Sequence, residues 1–250
     1  MTTRRQLLAL LLLLATPAYA GRFDACTDFV RYGDPGGSGT PLCRLGYAAL
    51  HDNERKISLW VVERLTAEQV ASTMDRTDNF RSDTALPVHA RAELDDYRGS
   101  GYDRGHLAPA ADMRWSPVAM SESFLLSNMV PQVGTGMNRG IWKDLEAHVR
   151  DWATERGEVY VFTGPAFGPV RVVIGPSDVE VPAVMYKVVF DPIRVDAIAF
   201  LMPNRVLDRD TLPVYRVSID TVEQATGLDF LSVLRDDVEV QLESSTYQMW

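Results

Sequence analysis

At 250 residues, with 46% hydrophobic and 24% charged side chains, the chain has the make-up of a soluble globular protein with a substantial core. Two cysteines cannot build a structural zinc site, and past residue 20 no run of 18 apolar residues offers a membrane span. A net charge of −9 argues against a broadly basic nucleic-acid-binding face, although a local arginine cluster can still hold a few phosphates in weak, salt-sensitive, sequence-independent binding.

Residues 1–20 read as a secretory signal peptide. Arg4 and Arg5 precede an apolar run from Leu7 to Leu14, and Ala18-Tyr19-Ala20 is a small-x-small cleavage site. Thr3-Arg4-Arg5-Gln6-Leu7-Leu8 is also compatible with twin-arginine export, though the leucine-rich core favours the ordinary secretory route. The mature chain then starts at Gly21 with a net charge of −11, and residues 21–250 form one domain without a linker. The expected compartment is periplasmic or extracellular. Cys26 and Cys43 are expected to pair there across a Gly- and Pro-rich arm, the alternative being two free buried thiols.

After the arm, Leu45–Leu50 and Lys56–Leu65 read as strands, with Ile57, Leu59 and Val61 alternating against Ser58, Trp60 and Val62. Thr66 to Gln69 fits a capping box opening a short helix. Residues 75–101 are charged, broken by Gly and Pro, and without period, as functional loops often are. Ser116-Pro117 starts a helix running to about Phe124, Leu125–Val130 is apolar and compatible with extended chain, and Gly134 to Gly136 is a loop. Residues 139–156 are the clearest helix, with Ile141, Leu145, Val149 and Trp152 on one stripe, Gly157 as its C-terminal cap, and Asn138, Trp142, Glu146 and Arg150 stepping along an adjacent face. Strands follow at about 158–163, 170–174, 184–190 and 197–202, then a helix from Ile219 to Thr226 ending at Gly227. Strands and helices do not alternate regularly, which predicts an α+β fold with a mainly antiparallel sheet.

Chemistry concentrates at Tyr102-Asp103-Arg104-Gly105-His106. Gly105 permits an unusual backbone angle, Arg104 can fork to two phosphate oxygens, and a neutral His106 can take a proton from water. If its pKa is unshifted, activity falls as the imidazole protonates near ~6.5. His51, His89 and His148 lack such neighbours and read as structural or surface residues. Asn138 precedes a helix and so doubles as a candidate N-cap, and Glu146 with Arg150 as a candidate i,i+4 surface ion pair.

Asp103-Arg104-Gly105-His106 resembles the signature of the DNA/RNA non-specific endonucleases, the ββα-metal (His-Me finger) family that includes mitochondrial endonuclease G. Ser100-Gly101-Tyr102, Leu107-Ala108-Pro109-Ala110, Ser127 to Gln132, and then Asn138, Trp142, Leu145 and Glu146 match in the same order. Weaker similarities occur at Cys43 to Tyr47, at Thr163-Gly164-Pro165 and at Thr226 to Phe230, so the resemblance covers about residues 42–243. It implies a ββα-metal nuclease fold and cleavage of DNA and RNA to 5′-phosphate ends. His106 would be the general base, Asn138 the only direct protein ligand of a divalent ion, Glu146 the holder of a water in that ion's shell, and Arg104 the phosphate stabiliser. Asn128, Arg150 and Arg76 would assist at the substrate, with Arg81 an alternative to Arg76.

The implied cofactor is Mg2+ or another divalent cation such as Mn2+. A neutral amide ligand leaves the ion's charge uncompensated, so it polarises phosphate more strongly and binds more weakly alone. Eight residues of continuous helix would separate Asn138 from Glu146 by ~12 Å, so Glu146 would act through water. The implied partners are DNA and RNA, with no membrane in the mature form; a homodimer stays open. Two other readings share the fold: a phosphodiesterase for another substrate, and a catalytically weak nucleic-acid-binding protein, whose mark would be loss of His106 or Asn138. Both residues are present.

Overall fold

A computed structural model describes residues 21–250; the signal-peptide reading lies outside the described residues. Its framework is a seven-stranded sheet in the order β1 (Thr40–Cys43), β2 (Ala48–Asp52), β3 (Ile57–Thr66), β6 (Glu158–Ala166), β9 (Val184–Asp191), β10 (Asp196–Pro203) and β11 (Arg216–Val217). Every pairing in this sheet is antiparallel. Two small ribbons stand apart, β4 (Tyr102–His106) with β5 (Met129–Val133), and β7 (Val173–Ile174) with β8 (Val179–Glu180). The helices are α1 (Ala67–Val70), α2 (Leu94–Tyr97), α3 (Pro117–Ser123), α4 (Trp142–Arg156), α5 (Ile219–Thr226) and α6 (Asp236–Glu243).

The central strands are buried on both faces, because each face carries its own apolar layer. Val61, Val161, Val189 and Phe200 pack against Leu145, Val149 and Trp152 of α4. The alternate positions Trp60, Val62, Tyr160, Phe162, Val188 and Phe190 pack against Ile219, Val222, Phe230 and Leu242. A strand covered twice loses the polar–apolar alternation of a half-exposed one. The alternation from Ile57 to Val62 therefore separates two cores rather than core from solvent. A bulge between Leu50 and His51 leaves Leu59 without a partner on β2.

Local signals act as their chemistry dictates. Ser116 caps α3 by accepting from Val118 and Ala119 N–H, and Thr66 and Gln69 form a reciprocal capping box on α1, which runs only one turn. Gly227 ends α5 in the left-handed conformation at φ 72°. Cys26 and Cys43 are joined by a disulfide. Among the described residues no helix is long and apolar enough to cross a membrane.

Two expectations are corrected and one element is added. The helix expected from residue 139 starts at Trp142, because Gly136 (φ 82°) and Gly140 (φ −123°, ψ −116°) hold 134–141 in an irregular turn. The strand expected at 170–174 is reduced to Val173–Ile174, with Val170 and Val172 exposed. Helix α6 carries a weak apolar period, Val238 and Leu242 among acids, and was not anticipated from the sequence.

Candidate active site

The ribbon β4–β5 and the start of α4 enclose a cleft of about 730 Å³. Arg76, Arg104, His106, Asn138, Glu146 and Arg150 all line it, so six of the seven expected catalytic, metal and substrate residues meet in one place. The local charge opposes that of the whole chain: Arg98, Arg139 and Lys143 also reach the cleft, against the carboxylates of Asp103 and Glu146. Arg81 does not line it; its guanidinium donates to the Asn79 and Ser121 carbonyls.

His106 ends β4, paired with Met129 of β5. Its ring is wedged between Phe80 and Phe124, with centroids 5.7 and 5.1 Å away and both contacts edge-on. Nε2 is buried and has no hydrogen-bond partner among the described residues. Burial, with Arg76 and Arg104 adding to it, lowers the imidazole pKa from its ordinary 6.5 to about 3. The expectation of an imidazole titrating near 6.5 is thereby corrected: His106 is neutral throughout the physiological range.

Phe80 and Phe124 also carry the arginines. The Arg104 guanidinium lies 4.0 Å from the Phe80 ring centroid, and that of Arg76 lies 5.0 Å from Phe124. Arg104 makes no ion pair among the described residues, whereas Arg76 has an exposed partner in Asp78 at 3.0 Å. Sequence reasoning missed both rings. The available signal was Phe80 itself, a large apolar aromatic in a charged, aperiodic loop.

Gly105 serves a different purpose from the one expected. Its φ is not positive; instead a Cβ there would come within 2.2 Å of the buried Gln132 Oε1 and 2.7 Å of Gln132 Cβ. The glycine lets β5 close against β4.

Asn138 is not a helix cap. Its Nδ2 donates to Asp103 Oδ2 at 2.8 Å, and Asp103 also accepts from Arg139 at 2.5 Å. Among the described residues Oδ1 of Asn138 accepts no hydrogen bond, and it is the amide's free end. Glu146 and Arg150 do not pair either. Arg150 donates to the buried Asp112 at 2.8 Å, which leaves Glu146 without a cationic partner. Burial raises the Glu146 carboxyl to about 7, against the pull of Lys187. Because the irregular turn breaks the helix before α4, the ~12 Å spacing of a continuous helix does not apply.

Beneath α4 lies a buried polar layer absent from the sequence reading: Glu63, Asp112 and Lys187, at most 2% exposed. Lys187 donates to Thr163 Oγ1 at 2.5 Å and sits 5.1 Å from the Trp142 ring centroid. Burial raises the Glu63 and Asp112 carboxyls and lowers the Lys187 ammonium. Each occupies a strand or loop position that reads as ordinary surface charge until the fold covers it.

Asn128 is the residue the structure moves out of the cleft. It is fully buried, its Oδ1 accepts from Ala108 N–H, and its Nδ2 donates to the Ala108 and Ser123 carbonyls. It ties the segment after His106 to α3 rather than facing substrate. Of the remaining histidines, buried His51 bonds the Ala90 carbonyl at 2.8 Å, and His89 and His148 lie outside this cleft.

The donor set suits a hard divalent ion. A free amide oxygen and a carboxylate without a cationic partner share one cleft, and oxygen ligands with few protein contacts are what magnesium accepts. No histidine or cysteine cluster competes for a softer metal among the described residues.

A family model described as DNA/RNA non-specific endonuclease matches residues 26–237. A nuclease of Syncephalastrum racemosum is 38% identical over 233 residues, covering 84% of this chain and 73% of that protein. Mitochondrial endonuclease G of Homo sapiens is 37% identical over 220 residues, covering 82% of this chain and 73% of that protein. A crystal structure of the EndoG/EndoGI complex superposes with a TM-score of 0.79 at 36% identity, covering 87% of this chain and 94% of that one.

Proposed function

The chain belongs to the DNA/RNA non-specific endonuclease family, and we propose that it is a divalent-metal-dependent, sugar-non-specific endonuclease that cuts phosphodiester bonds and leaves 5′-phosphate ends. One observation carries this reading. The neutral imidazole of His106, the free amide oxygen of Asn138 and the guanidinium of Arg104, which makes no ion pair among the described residues, belong to residues lining one cleft.

His106 is the base. Neutral and lining the cleft, its imidazole takes a proton from water. The water oxygen bonds to phosphorus as the bond from phosphorus to the 3′ oxygen breaks. Arg104 holds the phosphate through paired N–H donors, with its plane fixed on Phe80. Arg76 and Arg150 add charge at the same wall. Asn138 would hold the ion, and Glu146 would orient water beside it. Magnesium or manganese there would supply Lewis-acid polarisation of the phosphate and stabilise the leaving 3′ oxygen. Contacts to phosphate carry no direct base information, so cutting is expected at many positions with only mild context bias.

We further infer export to the periplasm or the medium. The Cys26–Cys43 disulfide suits an oxidising compartment, and residues 1–20 have the pattern of a leader.

The test is incubation of metal-stripped protein with plasmid and with RNA. Both substrates are expected to be cut in magnesium and spared in excess EDTA. Full activity in excess chelator after removal of bound metal would overturn the mechanism.

A further inference from the structure

On the face of the sheet opposite the cleft, α5, the turn after it and α6 gather five carboxylates. Ligand oxygens of Asp220, Glu223 and Glu243 lie within 4.8 Å of one another, and so do those of Asp229, Glu239 and Glu243. Glu243 belongs to both groups. It is only 8% exposed, and its Oε1 is buried with no hydrogen-bond partner. A buried carboxylate left bare is costly unless something compensates it.

No cationic side chain among the described residues does so. None of the five forms an ion pair among the described residues, although arginines elsewhere pair freely with acids. The one bond to an N–H is from Phe230 to Glu223 Oε1 at 2.8 Å. Burial and the neighbouring carboxylates Glu223, Glu239, Asp220 and Asp229 together push the Glu243 carboxyl up to about 8. The same causes raise Glu223 and Glu239.

We propose that this cluster is a calcium site that fastens the C-terminal helix α6 to α5. Calcium takes six to eight oxygens at about 2.3–2.6 Å, so two ligands facing each other across the ion stand about 4.8 Å apart. Both sets of oxygens lie close enough together to surround one such ion. Asp220 and Glu223 are spaced i,i+3 on α5, and Glu239 and Glu243 i,i+4 on α6, so each helix offers two ligands from one side. Magnesium keeps several waters and demands a tighter octahedron, which a shell crowded with carboxylates does not provide. Structural zinc sites are built from cysteine and histidine donors, and this cluster has none. The site is independent of the nuclease reading, since it shares no residue with the cleft.

The test is calorimetric titration and thermal melting of the metal-stripped full chain in calcium chloride. Calcium is expected to bind and to raise the Tm by about 5–10 °C at a hundred times its Kd. Asn138→Ala, altered only in the cleft, keeps the rise, and Glu243→Gln loses it. Without metal the Glu243 carboxyl is mostly protonated near neutral pH, so the near-isosteric Glu243→Gln melts close to wild type, and its plasmid cleavage in magnesium is unchanged. If that variant fails to fold, exposed Asp229→Asn carries the same test, with calcium affinity at least ~10-fold weaker. No rise with calcium, an equal rise in Glu243→Gln, or an equal response to magnesium overturns the proposal.

Discussion

Asp103 Oδ2 accepts the Asn138 amide N–H at 2.8 Å, and this single bond decides which end of the Asn138 side chain is left for a metal ion. Without it the amide can turn over and offer a donor where an acceptor is required. Partners that orient a ligand typically change metal affinity 10–100-fold. Asp103→Ala is therefore expected to weaken Mn2+ binding by about that factor. The measurement is electron paramagnetic resonance of free Mn2+ without nucleic acid. Unchanged affinity would remove Asp103 from this positioning role.

His106→Ala should lower plasmid nicking at least ~100-fold while affinity for a short duplex in magnesium changes little, because Arg104 and Asn138 remain. Wild-type cleavage by a variant with intact circular dichroism would show that His106 is not the base.

The acid limb of activity is expected to follow Glu146 rather than His106. The His106 pKa is lowered to about 3, so the ring is already neutral above that pH and does not change charge between pH 8 and 5. The Glu146 pKa is raised to about 7, so its carboxylate is lost as pH falls through that value. Higher magnesium should move the limb to lower pH, since the ion favours the ionised form. Titration by nuclear magnetic resonance should find the His106 ring shifts flat across the limb; ring shifts moving together with activity would reverse the assignment.

Phe80→Leu keeps an apolar side chain but removes the ring under Arg104. An exposed cation–π contact contributes about 0.5–1 kcal/mol, so KM should rise roughly 2–5-fold. The melting temperature should move little, because Phe80 is only partly buried. An unchanged KM would mean that Arg104 is aimed by the backbone of β4 alone.

Replacing Cys26 and Cys43 together by serine should destabilise the fold by about 3 kcal/mol, read from the urea midpoint. Neither cysteine lines the cleft, so cleavage by the remaining folded protein should be normal. A parallel loss of activity at temperatures where the variant is folded would tie the arm to the site.

What could be read from the sequence was what local chemistry determines. The Ser116 and Thr66 caps, the Gly227 stop and the apolar stripe of α4 are set by near neighbours and appear where expected. The motif order brought His106, Arg104, Asn138 and Glu146 to one cleft. Burial of charge was not legible, because it depends on which elements cover a position. Arg150 reads as the partner of Glu146 until Asp112 arrives beside it from a separate loop. Asn128 reads as a polar residue available to substrate until α3 and the segment after His106 close over it. The imidazole pKa likewise follows from two rings and two arginines brought in by remote segments.

The sheet keeps its two apolar layers separate. Substitutions that are distant and share no partners combine nearly additively, within about 0.3–0.5 kcal/mol. The cleft layer and the α5–α6 layer should therefore accumulate changes independently. A variant library could be stabilised on one face and altered in catalysis on the other, then merged with little epistasis. Coupling should be confined to side chains within one layer, such as Glu63 and Lys187, which act on each other beneath α4.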